Sequence, residues 1–176
     1  EHDHKYLRSR DPSMFTDFKA PSSQIINRIF YANAKAIFAQ SKLHKQVIEK
    51  NLGIPNVVNL GMNLWTDEQL AIIESNLENE KIDDYSIVNS DNPTKNTQAC
   101  VQYCEEKGLS YTLIKSPDYA SFIKQLSQHQ KYLYFPKVLE TFNRVIIEAR
   151  MLNCKVNTTA NNGCLSEDWF KKYKGK

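Results

Sequence analysis

The sequence predicts an α/β fold: a Rossmann-like parallel sheet with helices on both faces. Three observations predict it. From residue 36 onward, short apolar runs alternate with helical patterns of about ten to fifteen residues, the rhythm of βαβ units. The runs are apolar at successive positions, as strands covered on both sides require. The chain has 176 residues, enough for one good-sized domain, or one domain and a piece of another.

The elements follow in order. Residues 36–39 form a strand-like run, and 42–51 have helical spacing that ends near Gly53. Residues 57–60 are the next strand. A helix is expected over 67–80, with Leu70, Ile73 and Leu77 on one face and Thr66 as its N-cap. Strand 85–88 precedes helix 94–107, which Gly108 stops. Strand 111–114 precedes helix 118–128, with Phe122, Ile123 and Leu126 inward. Strand 132–135 is closed by Pro136, helix 141–152 and strand 155–158 follow, and helix 167–173 ends the pattern. Tyr103, Tyr111, Tyr132 and Tyr134 read as core or half-buried aromatics. Before residue 36 the chain is polar and aperiodic up to about Ser23, then helical over 22–33. Residues 61–67 form the expected linker, dividing a 1–60 portion from a 61–176 domain.

Composition narrows the function classes. The chain carries 23 Lys plus Arg against 20 Asp plus Glu, a formal net charge of +3. That is too small to imply a nucleic-acid partner. With 41% hydrophobic and 24% charged residues, wholesale disorder is excluded. No apolar run reaches the roughly 20 residues of a membrane-spanning helix. Residues 1–10 are too polar for a signal peptide. These observations point to a cytoplasmic protein, at most resting on a membrane surface, and to a fragment with sequence missing upstream. Cys100, Cys104, Cys154 and Cys164 lack zinc-ligand spacing and read as buried thiols, so no metal is expected. His2, Asp3 and His4 lie too close together in a polar terminus to suggest a metal site.

In such folds ligands bind at the carboxyl ends of the strands, beside helix N-termini. The informative stretch there runs from Phe135 to Ala149, with Glu140 and Glu148 eight positions apart. On one helix, eight steps of about 100° set the two carboxylates within roughly 80° of each other and about 12 Å apart along the axis. That is too far for acid and base to share one bond, but suited to holding two parts of one long ligand. A solvated helix face is the plainer reading of the same pair.

Here the chain resembles the C-terminal half of GT-B retaining glycosyltransferases of the Glu-x7-Glu type. The family reads E-x-F-G-x-x-x-x-E-A; this chain has Glu140, Phe142, Asn143, Glu148 and Ala149 in those places, then Lys155-Val156. Residues 36–41 look like the family's last N-domain strand, and 57–63 like the segment crossing between domains. Residues 88–96 look like its G-R-x-x-x-x-K-G segment, 161–167 like its G-G-x-x-E loop, and His2-Asp3 like a His-Asp at the end of an N-domain strand. The order of these segments covers nearly the whole chain.

The resemblance implies a nucleotide-sugar donor, a glycan or lipid-linked acceptor, and an acceptor-binding N-domain that is largely absent. Glu140 and His2 would be the catalytic residues, with Glu140 bonding hydroxyls of the donor sugar. Glu148 would bond the ribose and Lys95 would neutralise the diphosphate. Phe142, Asn143 and Arg144 would approach sugar and phosphate, as would Gly163 in its loop. A bound metal is not usual in the family. Three positions depart from its pattern: Ser90 stands where the phosphate-binding Arg is expected, and Asn89 and Asn143 where glycines are. Arg144 is the residue placed to supply the missing charge. A GT-B-like binding module without catalysis is the alternative, and an unrelated nucleotide-binding domain is a third. The third has no G-x-G-x-x-G or P-loop in its favour.

Overall fold

A computed structural model describes residues 1–172. They form two compact units. The first comprises Glu1–Asn63, Val138–Asn143 and Ala160–Lys172; the second comprises Leu64–Lys137 and Arg144–Thr159. The sequence reading placed all of 61–176 in one domain. Residues 138–143 and 160–172 instead pack with the amino-terminal unit.

The second unit is a Rossmann-like α/β fold. Its elements are α3 (Asp67–Glu74), β3 (Ile82–Val88), α4 (Thr97–Glu106), β4 (Tyr111–Ile114), α5 (Tyr119–Ser127), β5 (His129–Tyr134), α6 (Arg144–Met151) and β6 (Lys155–Thr158). The sheet is parallel throughout, in the order β4-β3-β5-β6. Side chains alternate across it. Ile87 of β3 and Leu133 of β5 pack with Cys100 and Cys104 of α4. Their neighbours Ser86, Tyr132 and Tyr134, all buried, point to the other side. There α5 and α6 pack on the sheet and on each other, and α3 packs on α5.

Local signals set the helix starts. Thr66 and Gln69 form a complete capping box at α3, and Asp118 caps α5 by accepting from Ser121 N–H. Three expected helices are shorter than read. α3 ends at Glu74 rather than 80. The 94–107 helix divides into a 3-10 turn, Pro93–Lys95, and α4, because Asn96 takes a left-handed conformation between them (φ 56°). Most consequential, α6 opens at Arg144, not at 141, so Glu140 is not on the helix that carries Glu148. The premise of two carboxylates on one helix face is therefore corrected. Residue 140 instead forms a parallel β-bridge with Asn162.

One buried network ties three strands. The Nδ1–H of His129 in β5 donates to Asp84 Oδ1 of β3 at 2.6 Å, and Thr112 Oγ1 of β4 donates to Asp84 Oδ2 at 2.7 Å. Asp84 and His129 are both buried.

The first unit holds a two-stranded parallel sheet, β1 (Ile37–Ala39) with β2 (Val57–Asn59), and helices α1 (Arg28–Ala32), α2 (Lys42–Leu52) and α7 (Asp168–Lys172). Its core gathers Tyr6, Leu7, Tyr31, Ile37, Ala39, Ile48 and Val57. The helix expected over 22–33 is only a 3-10 turn, Ser22–Gln24, followed by the five residues of α1. No strand forms around His2-Asp3; positive φ at Asp3 and His4 makes a turn there, which corrects the reading of that pair as a strand end.

The amino end of α2 is closed by the returning segment. Glu167, buried, accepts from Lys42 N–H at 2.6 Å, Ser166 Oγ accepts from Leu43 N–H at 3.0 Å, and Ser41 Oγ accepts from His44 N–H at 3.1 Å. These are three of the four donors that a helix start leaves open. Glu167 thus caps α2 rather than the helix that follows it in the chain. Gly163 lies so close to the Thr141 carbonyl and Ser41 Oγ that a Cβ would collide with both.

Three stability results are expected. Asp84→Ala, which leaves His129 buried without its carboxylate, lowers unfolding free energy by about 3–5 kcal/mol in urea titration. Gly163→Ala costs at least about 2 kcal/mol through overpacking against backbone. Gly108→Ala, at φ +61° but in open space, costs only about 1 kcal/mol by the same measurement.

Candidate functional site

The carboxyl ends of β3 and β5 diverge. The chain leaves β3 for β4 on one side and reaches β5 and β6 on the other, so the strand order reverses between β3 and β5. Open α/β sheets bind ligands at such a reversal. An open hollow of about 490 Å³ lies after β3 beside the amino end of α4, lined among others by Asn89, Ser90, Thr97, Val101, Leu113 of β4 and Lys137. Two bonds hold its rim: Lys137 N–H donates to the Thr94 carbonyl at 3.2 Å and Asn96 Nδ2 to the Phe135 carbonyl at 3.0 Å.

Of the predicted site residues, Ser90 lines the hollow and Lys95 does not. Ser90 is locked into the loop: its N–H donates to Thr97 Oγ1 and its Oγ accepts from Asn92 N–H, each at 3.2 Å. Lys95 Nζ sits 5.6 Å from the centroid of the Tyr134 ring, a cation–π distance. Lys137 is a hollow-lining cation that the sequence reading missed; its place after a strand-closing proline was the available signal.

Arg144 and Glu148 come together on α6. Glu148 is only 2% exposed. A carboxylate so buried requires donors, and three reach it. Trp65 Nε1–H donates to Oε1 at 3.0 Å, the Tyr119 hydroxyl to Oε1 at 3.0 Å, and an Arg144 Nη2–H to Oε1 at 3.4 Å. The Arg144 guanidinium also lies over the Trp65 ring at 5.2 Å and donates to Gln69 Oε1 at 3.2 Å. Burial and the adjacent Glu148 carboxylate push the Tyr119 phenol well above its usual range, so it remains a proton donor. Trp65 lies in the segment expected to be the linker. Tyr119 carried no sequence signal beyond its place at the start of a helix.

The other predicted residues belong to the first unit. Glu140 is half-buried; its N–H donates to the Asn161 carbonyl at 3.0 Å and its carbonyl accepts from Gly163 N–H at 2.9 Å. Phe142 is buried, its ring 6.3 Å from that of Trp169, and its carbonyl accepts from Asn63 Nδ2 at 3.4 Å. Asn143 is buried too. His2 is exposed and pairs with Asp3 at 2.8 Å.

The buried histidines are His4 and His44, with ring centroids 4.8 Å apart. His44 Nδ1 accepts from Gln40 N–H at 3.2 Å, and His4 Nδ1 pairs with the Tyr6 hydroxyl at 3.0 Å. Neither Nε2 has a hydrogen-bond partner. Burial lowers the His4 pKa to about 4, although Asp11 and Asp3 oppose the shift. Burial and the neighbouring His4 lower that of His44 to about 2.

All four cysteines are buried and none forms a disulfide; burial raises the Cys100 pKa to about 11. Among the described residues no group of three or more His, Cys, Asp or Glu is placed to hold a metal ion, and no helix is long and apolar enough to cross a membrane. No protein-family model matches the chain, and no curated protein matches it.

Both histidines are lowered in the folded state, so both favour the fold when neutral. Their contribution is whole above the unfolded value near 6.5 and is lost as pH falls, toward about 4 for His4 and further for His44. Urea midpoints are therefore expected to drop steadily between pH 6.5 and 4, and His44→Gln is expected to flatten that slope.

Proposed function

We propose that the chain is the nucleotide-sugar-binding portion of a cytoplasmic retaining glycosyltransferase that transfers a sugar to a glycan or lipid acceptor. One observation carries the reading. Glu148, in the place that the resemblance gives to the ribose-binding carboxylate, is a buried charge with organised donors on one oxygen. Solvated helix acids have no such shell, so the plain reading of Glu148 as an exposed face no longer serves.

The hollow beside α4 supports the same reading. It adjoins the amino end of α4, whose open N–H groups and positive dipole favour a phosphate, and Lys137 lines it; Lys95, from the turn before α4, carries its ammonium over the Tyr134 ring. In a retaining transfer, negative charge grows on the departing diphosphate, and cations fixed beforehand stabilise it. Lys95 would do this; Glu140 would hold donor hydroxyls. Arg144 is a weaker substitute for the arginine missing at position 90, because Glu148, Gln69 and the Trp65 face already engage it. Lys137 is the better one. An acceptor-binding partner domain would complete the enzyme.

The second reading, a binding module without catalysis, has its own observation: Ser90 is locked into its loop and offers no charge. Calorimetric titration with uridine, guanosine and adenosine diphosphates, without metal, tests the proposal. One nucleotide is expected to bind, and Glu148→Ala to weaken it roughly ten- to a hundredfold, as loss of a charged hydrogen bond does. Binding without sugar transfer in the presence of a partner domain would favour the module; no binding by any nucleotide would sink the donor-binding reading and leave a module that recognises a glycan or a protein.

A further inference from the structure

We propose that Trp65 and Tyr119 are positioning residues that orient Glu148 so that one of its oxygens is presented to the vicinal hydroxyls of a nucleotide ribose. The inference rests on the reading of Glu148 as the ribose carboxylate. Its evidence is the asymmetry of the donors. Trp65, Tyr119 and Arg144 all converge on Oε1, and Oε2 receives none of them. A carboxylate has about four acceptor sites, two on each oxygen. In a residue only 2% exposed, loading every chain donor on one oxygen leaves the other to accept from something else.

The terminal torsion of a glutamate is broad and nearly two-fold. The side chain alone therefore does not distinguish its oxygens; the donors do. They come from separate elements. Trp65 lies in the segment before α3, Tyr119 is the first residue of α5, and Arg144 opens α6. The indole is itself held, since Arg144 covers its face and is tied in turn to Gln69 of the α3 capping box. The phenol is held by the start of α5, where Asp118 accepts from Ser121 N–H at 2.8 Å.

The test is a titration with the diphosphate of whichever nucleoside the wild-type chain binds, beside its 2′,3′-dideoxy counterpart. Both are measured on the wild-type chain, Tyr119→Phe and Trp65→Phe, with folding of each checked by circular dichroism. Wild type is expected to prefer the ribonucleotide by about tenfold or more. Each variant is expected to bind the ribonucleotide about three- to tenfold more weakly and the dideoxy form unchanged, so that the preference shrinks. Equal loss for both ligands would mean a merely structural role and overturn the proposal. Tighter ribonucleotide binding by Trp65→Phe would mean that the indole occupies the ligand's place, and would overturn it as well. Tyr119→Phe keeps the ring and decides the matter should Trp65→Phe fail to fold. If wild type binds the nucleotide without preferring ribose, the positioning role falls while nucleotide binding stands. If it binds no nucleotide, the underlying reading falls too.

Discussion

The second unit is organised around the carboxylate of Asp84. It accepts from His129 and Thr112 and so joins β5 and β4 to the strand between them. A buried carboxylate without these partners would cost more than the fold can spare. With them it helps to specify which strands flank β3. That choice sets the strand order, and the strand order sets where the loops part. The hollow lined by Ser90 and Lys137 at the other end of β3 is a consequence of that order.

The same logic holds at Glu148. A glutamate on an amphipathic helix ordinarily points to water. Here α6 turns its carboxylate inward, and an indole, a phenol and a guanidinium from separate elements satisfy it. Each donor is useful only in the folded state, and together they rigidify a charge that would otherwise be mobile. Such pre-organisation is what separates a binding carboxylate from a solvated one.

In the first unit the governing demand is simpler: α2 must satisfy its open N–H groups. Ser41 does so locally, but Glu167 and Ser166 do so from more than a hundred residues away. The segment that carries them threads past Gly163 against the Thr141 carbonyl, a passage closed to any side chain. Capping and close backbone approach together explain why 160–172 belongs to this unit.

Much of this was legible in the sequence. The alternation of short runs with helical patterns gave strands 111–114 and 155–158 at their observed bounds, because the helical spacing on either side ends where each strand begins. The cap at Thr66 was readable because capping is local chemistry. The start of α6 was not: the helix expected from 141 opens at Arg144, and Glu140 pairs instead with Asn162, a partner distant along the chain. Helix propensity is a weak local preference, and a tertiary hydrogen bond overrides it. Likewise the motif pointed to Glu148 but not to Trp65 or Tyr119, which lie 83 and 29 residues away. Sequence determined the elements and the charge that needed company. Only tertiary structure decided which side chains keep it, because a buried carboxylate selects its donors by distance in space and not along the chain.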